Sequence, residues 1–287
     1  MPSQNPAAAD APLISPLISV VIPAYLSGAT IVRAVRSVLD GGVESDRLEI
    51  LIESDDGQDY AQAQALSPAV KVGVTGLVRS GVGPARNRAM ARARGIWLAF
   101  LDADDAFAAG YLAALLARAQ NTGAAAAPLI VSRADQPVLS LWQGQDQLRF
   151  ADLGVSGASV RMMVARALCP PFIDALSQDI LHAVQVMAAL GGAVPLSDRP
   201  YRLALTPGSV TAAQDFSARV AEAYHAHIQR IGAMDFPPEM RRAAQDVFRS
   251  KLALNAEFEA SGLADYYGFI AAKLGNGMNP DGADPAG

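Results

Sequence analysis

The chain has 287 residues, 51% hydrophobic and 18% charged, which is the composition of a globular protein and excludes an extensively disordered one. Its net charge of −5 argues against non-specific binding to nucleic acid, and no stretch reaches the roughly 20 apolar residues that span a bilayer. Cys169 is the only cysteine, which excludes a disulfide framework and a thiolate metal site. The first 16 residues lack the basic start and apolar run of a signal peptide. We therefore expect a cytoplasmic protein.

Strands and helices are predicted to alternate from residue 17 to about residue 132. Continuous apolar runs predict buried strands, and apolar residues three or four positions apart predict the helices between them. The predicted strands are 17–22, 48–53, 70–78 and 96–102, and the predicted helices are 30–42, 83–95 and 109–120. This alternation is typical of βαβ units in a parallel sheet. The sequence therefore predicts an α/β fold, with a Rossmann-like, mostly parallel sheet flanked by helices.

The second half of the chain changes character. The pattern is less regular over 133–210, where only a helix at 177–190 and an extended segment at 201–205 are predicted, and it is helical from 212 onwards. We expect four parts: a flexible arm (1–16), one α/β domain (17–211), a helical C-terminal extension (212–274) and a disordered tail (275–287).

Polar residues follow three of the predicted strands at the points where they end. They are Pro23–Tyr25, Glu53–Asp56 and Asp102–Asp105. The carboxyl ends of parallel strands meet at one edge of a sheet, where α/β proteins bind their ligands. The sequence therefore predicts one binding site built from all three segments.

The segment "LDADD" carries three acids, Asp102, Asp104 and Asp105, with no basic residue beside them. Two carboxylates that are two residues apart on an extended tip point the same way and could share a divalent cation. Aspartate is also common at strand ends as a cap for the next turn or helix. On these residues alone both interpretations stay open.

The segment "GVGPAR" (81–86) is close to the glycine fingerprint of dinucleotide-binding proteins. Arg86 occupies the place of the third glycine, and the segment follows the third strand instead of the first, so we do not favour an oxidoreductase. The glycines are expected to lead into a helix whose N-terminus, with Arg86, faces the binding edge. Arg88, Arg92 and Arg94 are expected to form a solvated face of that helix.

Four segments together resemble a known family. "ISVVIPAY", "EILIESDDGQD", "GVGPARNRAMARARGIWLAFLDADD" and "SQDILHAVQVMAALGG" have the order and approximate spacing of family 2 glycosyltransferases with the GT-A fold. The resemblance covers residues 17–212 and is most specific between 85 and 105. It implies a nucleotide-sugar donor, for which we favour a UDP-sugar, a divalent metal (Mn²⁺ or Mg²⁺) and transfer of the sugar with inversion.

The resemblance assigns roles to residues at the strand ends. It places Pro23, Ala24 and Tyr25 around the base, Asp55 or Asp56 on the uracil or ribose, Arg86 and Asn87 on the base and phosphates, and Asp102 on the ribose. "ESDDG" is one residue longer than the usual pattern, so Glu53 competes for the role of Asp55 or Asp56.

For the chemistry, the resemblance implies that Asp104 is the metal ligand and that Asp105 orients the loop. The catalytic base of the family is an aspartate at a helix start, which matches Asp179, with Gln178 where glutamate is commoner. Asp179 could instead only cap and charge the helix N-terminus. Asp174 is the rival candidate for the base.

Two departures from the family pattern bear on activity. Leu26 replaces an asparagine, and Thr206 stands where a histidine that can assist the metal or the leaving group is expected. Metal affinity could then rest on Asp104 and the diphosphate alone, or the donor could be held differently. Arg202 and Ser209 are further candidates for phosphate contacts. The alternative function is a catalytically inactive nucleotide-sugar-binding or scaffold protein.

The expected acceptor is a saccharide or a lipid-linked sugar, which places the protein in polysaccharide biosynthesis. Apolar residues at helical spacing in the C-terminal part favour core packing or a homodimer contact. The segment "MRRAAQDVFRSK" is mildly basic, so peripheral contact with the inner face of a membrane stays open.

Overall fold

The computed structural model describes residues 16–206, 211, 213 and 215–275. Its strands are β1 (Ile18–Ala24), β2 (Leu48–Ser54), β3 (Val70–Val74), β4 (Trp97–Phe100), β5 (Ala106–Phe107), β6 (Ala124–Ala126), β7 (Leu129–Arg133), β8 (Gln136–Leu141), β9 (Gln147–Arg149), β10 (Met162–Ala165), β11 (Ala193–Pro195) and β12 (Tyr201–Leu205). Its α-helices are α1 (Ile31–Leu39), α2 (Ala61–Gln64), α3 (Val82–Arg92), α4 (Tyr111–Ala119), α5 (Phe150–Val155), α6 (Gln178–Ala189), α7 (Phe216–Gly232), α8 (Pro238–Ser261) and α9 (Tyr266–Leu274).

The central sheet has six strands in the order β3-β2-β1-β4-β10-β6. The first four are parallel, β10 runs antiparallel to β4, and β6 runs antiparallel to β10. This mostly parallel sheet between helices confirms the predicted fold class. Since β1, β2 and β4 are parallel neighbours, the loops that follow them open at the same edge.

Both faces of the central sheet are covered, because its strands are apolar on both sides. β1 is buried along its whole length. Val20 belongs to the apolar cluster that contains Val35 of α1, and Val21 belongs to the cluster that contains Ala89 of α3. Successive residues of β1 thus point to opposite helical layers, as expected for a strand at the centre of an α/β fold.

Within the segment predicted to be less regular, residues 133–206 are more regular than their sequence predicts. A second sheet has the strand order β5-β12-β7-β8, a two-stranded sheet pairs β9 with β11, and β10 joins the central sheet. These strands have two to six residues, and apart from the adjacent strands β7 and β8 they pair with partners far away in the chain, so local periodicity does not mark them. The third predicted strand is too long, since β3 ends at Val74, two residues before Gly76 at a φ of +76°.

The C-terminal helices close the core of the domain. α8 packs on α5, α6 and α7, and α9 packs on β8. Tyr224, Phe248 and Ile270 of these helices are buried in the main apolar cluster. Buried contacts join these helices to the α/β core, and the division of the chain into a domain and a C-terminal extension stays a prediction. The predicted arm and tail lie, apart from residues 16 and 275, outside the described residues.

Where the chain is described, none of its helices is both long and apolar enough to cross a membrane.

Lys251 of α8 is buried between the C-terminal helices and the loop after α5. Its side chain is 1% exposed, and Nζ donates a hydrogen bond to the carbonyl of Ala158 over 2.8 Å. Burial lowers the pKa of Lys251 from 10.5 to about 7, and the charge of Asp179 opposes this only in part.

We expect the free energy of unfolding to rise with pH between about pH 7 and pH 10 because of Lys251. The folded state binds this proton less tightly than the unfolded state, whose pKa is near 10.5, so unfolding takes up a proton in this range. The slope contributed can reach about 1.4 kcal/mol per pH unit. Urea unfolding at several pH values should show this slope in the wild type and a flatter one in Lys251→Met. Lys273→Met, which removes an exposed lysine, should keep the wild-type slope; equal slopes in all three proteins would contradict the prediction.

Candidate active site

A cavity of about 490 Å³ opens beside the carboxyl ends of β1 and β2. It is lined by Pro23, Ala24, Tyr25, Asp55, Arg79, Gly81, Val82 and Ala85. The structure therefore brings four predicted residues, from two different strand ends, to the wall of one cavity. Arg79 Nε donates a hydrogen bond to the Tyr25 hydroxyl over 2.9 Å, so the aromatic ring is fixed at the rim.

Asp55 holds the turn that forms the far wall of this cavity. Its carboxylate accepts hydrogen bonds from the amides of Ser80 and Gly81, over 3.1 and 3.0 Å, and from Arg88 Nη2 over 3.1 Å. Burial alone would raise the pKa of Asp55, and the donors of Ser80, Gly81 and Arg88 outweigh it and lower the pKa. The carboxylate is thus ionised and preorganised at the cavity.

Asp56 closes the opposite side of the strand end. It accepts hydrogen bonds from the amide of Leu26 over 2.6 Å and from the Tyr60 hydroxyl over 2.8 Å. Leu26, which replaces the family asparagine, has a left-handed backbone with a φ of +52°. Asp56 therefore fixes a strained turn, whereas Asp55 lines the cavity. This contrast favours Asp55 as the residue that contacts the nucleobase of the donor.

Glu53 points away from the cavity. It is completely buried, and Arg88 Nε and Arg92 Nη2 each lie 2.7 Å from its carboxylate. Glu53 is the alternative to Asp55 or Asp56 for contact with the uracil or ribose, and the structure does not bring it to the cavity.

The expected solvated face of Arg88, Arg92 and Arg94 is only partly present: Arg92 and Arg94 are exposed and Arg88 is half-buried, but all three pair with buried carboxylates. Arg88 and Arg92 pair with Glu53, and Arg94 pairs with the buried Glu49 over 3.2 Å. The physical reason is that β2 buries two carboxylates beneath α3, and buried charges need partners of opposite sign.

Asn87 bridges two segments of the backbone. Its Nδ2 donates to the carbonyl of Phe172 over 2.7 Å, and its Oδ1 accepts from the Phe172 amide over 2.8 Å. These contacts attach α3 to the segment before α6, which carries Asp179. The contact with a bound nucleotide stays a prediction.

We expect Asn87→Ala to lower the free energy of unfolding by about 1–3 kcal/mol, because it leaves the amide and carbonyl of Phe172 without partners. Denaturant unfolding measures this change, and calorimetry with UDP tests the predicted ligand contact separately. If Asn87→Ala left the free energy of unfolding unchanged and weakened UDP binding, Asn87 would be a ligand contact and would not stabilise the attachment of α3 to the segment before α6.

Asp102 follows β4 and is held by two arginines. One of its oxygens pairs with Arg86 and the other with Arg161, which directly precedes β10. Arg86 is 1% exposed, and its Nε and Nη1 have no hydrogen-bond partner among the described residues. Burial would raise the pKa of Asp102, but the charges of Arg161 and Arg86 hold it well below its usual range. Asp102 is therefore ionised.

Asp105 is buried and has partners within the protein. The Tyr201 hydroxyl donates to it over 2.6 Å, and the amide of Ala204 donates over 2.8 Å. Burial, followed by the charges of Asp102 and Asp104, raises its pKa well above the ordinary value. These contacts tie the acidic loop to β12 and agree with a role in orienting that loop.

Asp104 differs from the other two acids of this loop: it has no cationic partner like those of Asp102, and no side chain donates to it as Tyr201 donates to Asp105, among the described residues. Within the described chain its carboxylate forms no ion pair, while its main-chain oxygen accepts a hydrogen bond from Arg33. Burial, and then the charge of Asp102, raise the pKa of Asp104. A divalent cation would relieve this repulsion, so the donor set fits one metal ligand. No group of three His, Cys, Asp or Glu side chains is arranged for a metal in the part of the chain that the structure describes.

Asp179 lies in the first turn of α6, after Ser177 in a left-handed conformation with a φ of +58°. Its Oδ2 lies 2.6 Å from Arg161 Nη1. Burial would raise the pKa of Asp179, and the charges of Arg161 and Arg86 outweigh it and lower the pKa. Arg161 thus brings Asp179 and Asp102 together, across 77 residues of sequence.

The other predicted site residues take no part in the ion pairs of Asp102, Arg161 and Asp179 among the described residues. The Oε1 atom of Gln178 is buried without a hydrogen-bond partner among the described residues, Asp174 is exposed beside Gly81, and Arg202 is exposed on β12. Ser209 lies outside the described residues.

The sequence analysis missed Arg161 and Tyr201. Both are single polar residues at the start of short strands, and no local pattern distinguishes them from surface residues. Only the pairing of β10 with β4, and of β12 with β5, brings them to the acidic loop.

Comparison with known proteins agrees with this geometry. Residues 19–159 match the family Glycosyl transferase family 2. The succinoglycan biosynthesis protein ExoO of Rhizobium meliloti is 37% identical over 111 residues, which cover 38% of this chain and 31% of ExoO. An uncharacterized protein of Mycobacterium tuberculosis, MT1568, is 37% identical over 126 residues, or 42% of this chain and 38% of that protein. The chain thus spans about a third of the length of these two relatives.

Two solved structures share the fold. Residues 1–349 of Staphylococcus aureus TarS in complex with UDP-GlcNAc superpose with a TM-score of 0.66 at 16% identity, covering 82% of this chain and 72% of that one. The mannosyltransferase PcManGT of Pyrobaculum calidifontis, in complex with GDP-Man and Mn²⁺, gives a TM-score of 0.56 at 17% identity, covering 91% and 87%. The match over residues 19–159 identifies this part of the chain as a family 2 glycosyltransferase region, and the two structures show that the chain has the GT-A fold.

Proposed function

We propose that the protein transfers a sugar from a UDP-sugar to a saccharide or lipid-linked acceptor with inversion at the anomeric carbon, and that Asp179 is the catalytic base. One observation carries this proposal: Arg161 joins Asp179 to Asp102, so the base lies one guanidinium group away from the loop expected to bind the donor.

The nucleoside would occupy the cavity at the ends of β1 and β2. Tyr25 offers an aromatic face to the base, and Asp55 offers an ionised acceptor in the same wall. The ribose would then lie towards Asp102 and the diphosphate towards Asp104. Arg86 pairs with Asp102, and its Nε and Nη1 have no hydrogen-bond partner among the described residues, so it would supply positive charge on the phosphate side.

Asp104 would hold the divalent metal, with diphosphate oxygens as the remaining ligands. When bound, the metal supplies Lewis-acid stabilisation of the charge that develops on the departing diphosphate. This chain contributes the rest: Asp105 and Tyr201 fix the loop that presents Asp104. The Mn²⁺ in the mannosyltransferase structure of the same fold supports the use of a divalent metal.

Asp179 would take the proton from the acceptor hydroxyl as the hydroxyl oxygen attacks the anomeric carbon. The bond from that carbon to the diphosphate oxygen breaks on the opposite side, and UDP leaves with the bonding electrons. A base must be ionised before it can act, and the lowered pKa of Asp179 ensures this at neutral pH.

The similarity to ExoO, whose name places it in succinoglycan biosynthesis, supports an acceptor from polysaccharide biosynthesis. A cytoplasmic location, contact with the inner face of a membrane and a homodimer through the C-terminal helices stay predictions from the sequence.

Two assays on the purified protein test the proposal. Thermal shift with UDP-, GDP- and dTDP-sugars, with and without Mn²⁺, should select a UDP-sugar, and release of UDP in the presence of acceptor sugars should follow. An inactive binding protein, the alternative that Gln178 and Thr206 suggest, predicts the thermal shift without release of UDP. If no donor gives a thermal shift and no donor releases UDP, both functions are contradicted.

A further inference from the structure

One arginine connects the two halves of the candidate site. Arg161 Nη1 lies 2.6 Å from Asp179 Oδ2, and Arg161 Nη2 pairs with Asp102. Its side chain is 10% exposed. Among the described residues it is the only side chain that forms ion pairs with both aspartates.

We propose that Arg161 is a positioning residue that holds the carboxylate of Asp179 in place for proton transfer and uses Asp102 as its anchor. This inference rests on the proposed function, because it assigns Arg161 a task in the reaction of Asp179.

The geometry of the ion pairs supports a rigid anchor. Arg86, a buried residue of α3, holds the second oxygen of Asp102, so Asp102 has an anchor that is independent of Arg161. Arg86, Asp102, Arg161 and Asp179 then form a connected series from α3, through the loop after β4 and the residue before β10, to α6. A guanidinium presents two N–H groups in a planar fork and can bridge two carboxylates, whereas an ammonium group has no such fork.

The bridge also sets the charge of Asp179. The charges of Arg161, Arg86 and Asp102 act on Asp179. The charge of Asp179 in turn acts on titratable groups of the helices around it: His182 on α6, Tyr224 and His227 on α7, Lys251 on α8 and Tyr267 on α9. Arg161 opposes most strongly the burial that would otherwise protonate Asp179. Without it, the carboxylate should take up a proton at higher pH.

A contact from α7 also holds the left-handed turn that precedes Asp179. His227 Nε2 lies 2.9 Å from the carbonyl of Leu176, so α7 fixes the backbone that leads into α6. The backbone of Asp179 is thus held from the C-terminal helices, and its side chain is held from Arg161.

The test compares Arg161→Met and Arg161→Lys with Arg166→Met in the full chain. Arg166 is an exposed arginine just after β10 that contacts only the carbonyl of Ala93 through its side chain, so its variant is the matched control. Initial rates of UDP release from saturating UDP-sugar and acceptor are measured against pH, and KM for the donor is measured at the optimum. Circular dichroism gives the folded fraction.

In R161M we expect kcat to fall by about a hundredfold, the loss typical of a misplaced catalytic group. The acidic limb of the kcat profile should also move to higher pH. R161K should fold, keep the acidic limb near that of the wild type and recover only part of kcat, because lysine supplies the charge without the fork. R166M should match the wild type in both respects.

Wild-type kcat and pH profile in R161M would overturn the inference. A loss of kcat that only follows the folded fraction, with an unmoved acidic limb, would overturn it too. If R161M does not fold, wild-type kcat in R161K would overturn the bridging role, and a reduced kcat would support it. A wild-type chain that releases UDP from no donor would overturn the proposed function and this inference together.

Discussion

Replacing Asp179 by asparagine is expected to lower kcat for sugar transfer by about 10²–10⁴-fold, the usual contribution of a general base. Asparagine keeps the size of the side chain and an oxygen that can accept from Arg161, but it cannot take a proton. UDP affinity should be unchanged, because Asp179 lies on the acceptor side of Arg161 in the proposed reaction. Steady-state UDP release measures kcat, and calorimetry with UDP and Mn²⁺ measures binding.

Asp174→Asn is the control for this substitution, since Asp174 is the other acid considered for the base. It is exposed beside Gly81 and forms no ion pair among the described residues, so its variant should keep wild-type kcat. If D174N lost activity and D179N retained it, Asp174 would be the base. Wild-type turnover in both variants would exclude each of them from proton transfer.

The sequence predicts the parallel half of the fold well, because its signals are local. A buried parallel strand is a continuous apolar run, and "LISVVI" and "LEILIE" became β1 and β2 with their ends moved by one or two residues. Polar residues directly after such runs must lie at the carboxyl edge of the sheet. Pro23, Ala24, Tyr25 and Asp55 could therefore be assigned to one site from sequence, and they share one cavity in the structure.

The antiparallel half could not be predicted in the same way. β10 has four residues and lies between β4 and β6, which come 36 or more positions earlier in the chain. Nothing in the local pattern of "VRMMVA" reveals these partners, because pairing depends on tertiary contacts. The position of Arg161 between Asp102 and Asp179 follows from this pairing. The ion pairs of Arg161 with these two aspartates could therefore not be predicted from the sequence.

The arginines of α3 show a related limit. Three arginines, Arg88, Arg92 and Arg94, on one predicted helix are typical of a solvated surface, and composition gives no reason to expect otherwise. In the structure Arg88 and Arg92 neutralise Glu53, a carboxylate on the neighbouring strand with no exposed surface. Arginines on a helix can thus neutralise a buried acid on a neighbouring strand. This pairing cannot be predicted from the sequence, because it depends on contacts in the folded structure.

Replacing Asp104 by asparagine is expected to remove the metal-dependent part of UDP binding. Losing an outer partner of a metal ligand already costs about 10–100-fold in metal affinity, so losing a direct carboxylate should cost at least about a hundredfold in UDP affinity with Mn²⁺. UDP affinity in EDTA should not change, because Asp104 makes no ion pair with any described residue that its loss would break. Calorimetry with UDP, in Mn²⁺ and in EDTA, gives both affinities.

Asp105→Asn is the matched control for Asp104→Asn, because the two acids are adjacent and have opposite environments. Asp105 is buried and receives hydrogen bonds from Tyr201 and Ala204, and its raised pKa already favours a neutral side chain. Its amide should therefore keep the loop in place and preserve the effect of Mn²⁺. Loss of the Mn²⁺ effect in D105N but not in D104N would move the metal ligand to Asp105, and the same Mn²⁺ dependence in both variants and the wild type would show that neither carboxylate is needed to hold the metal.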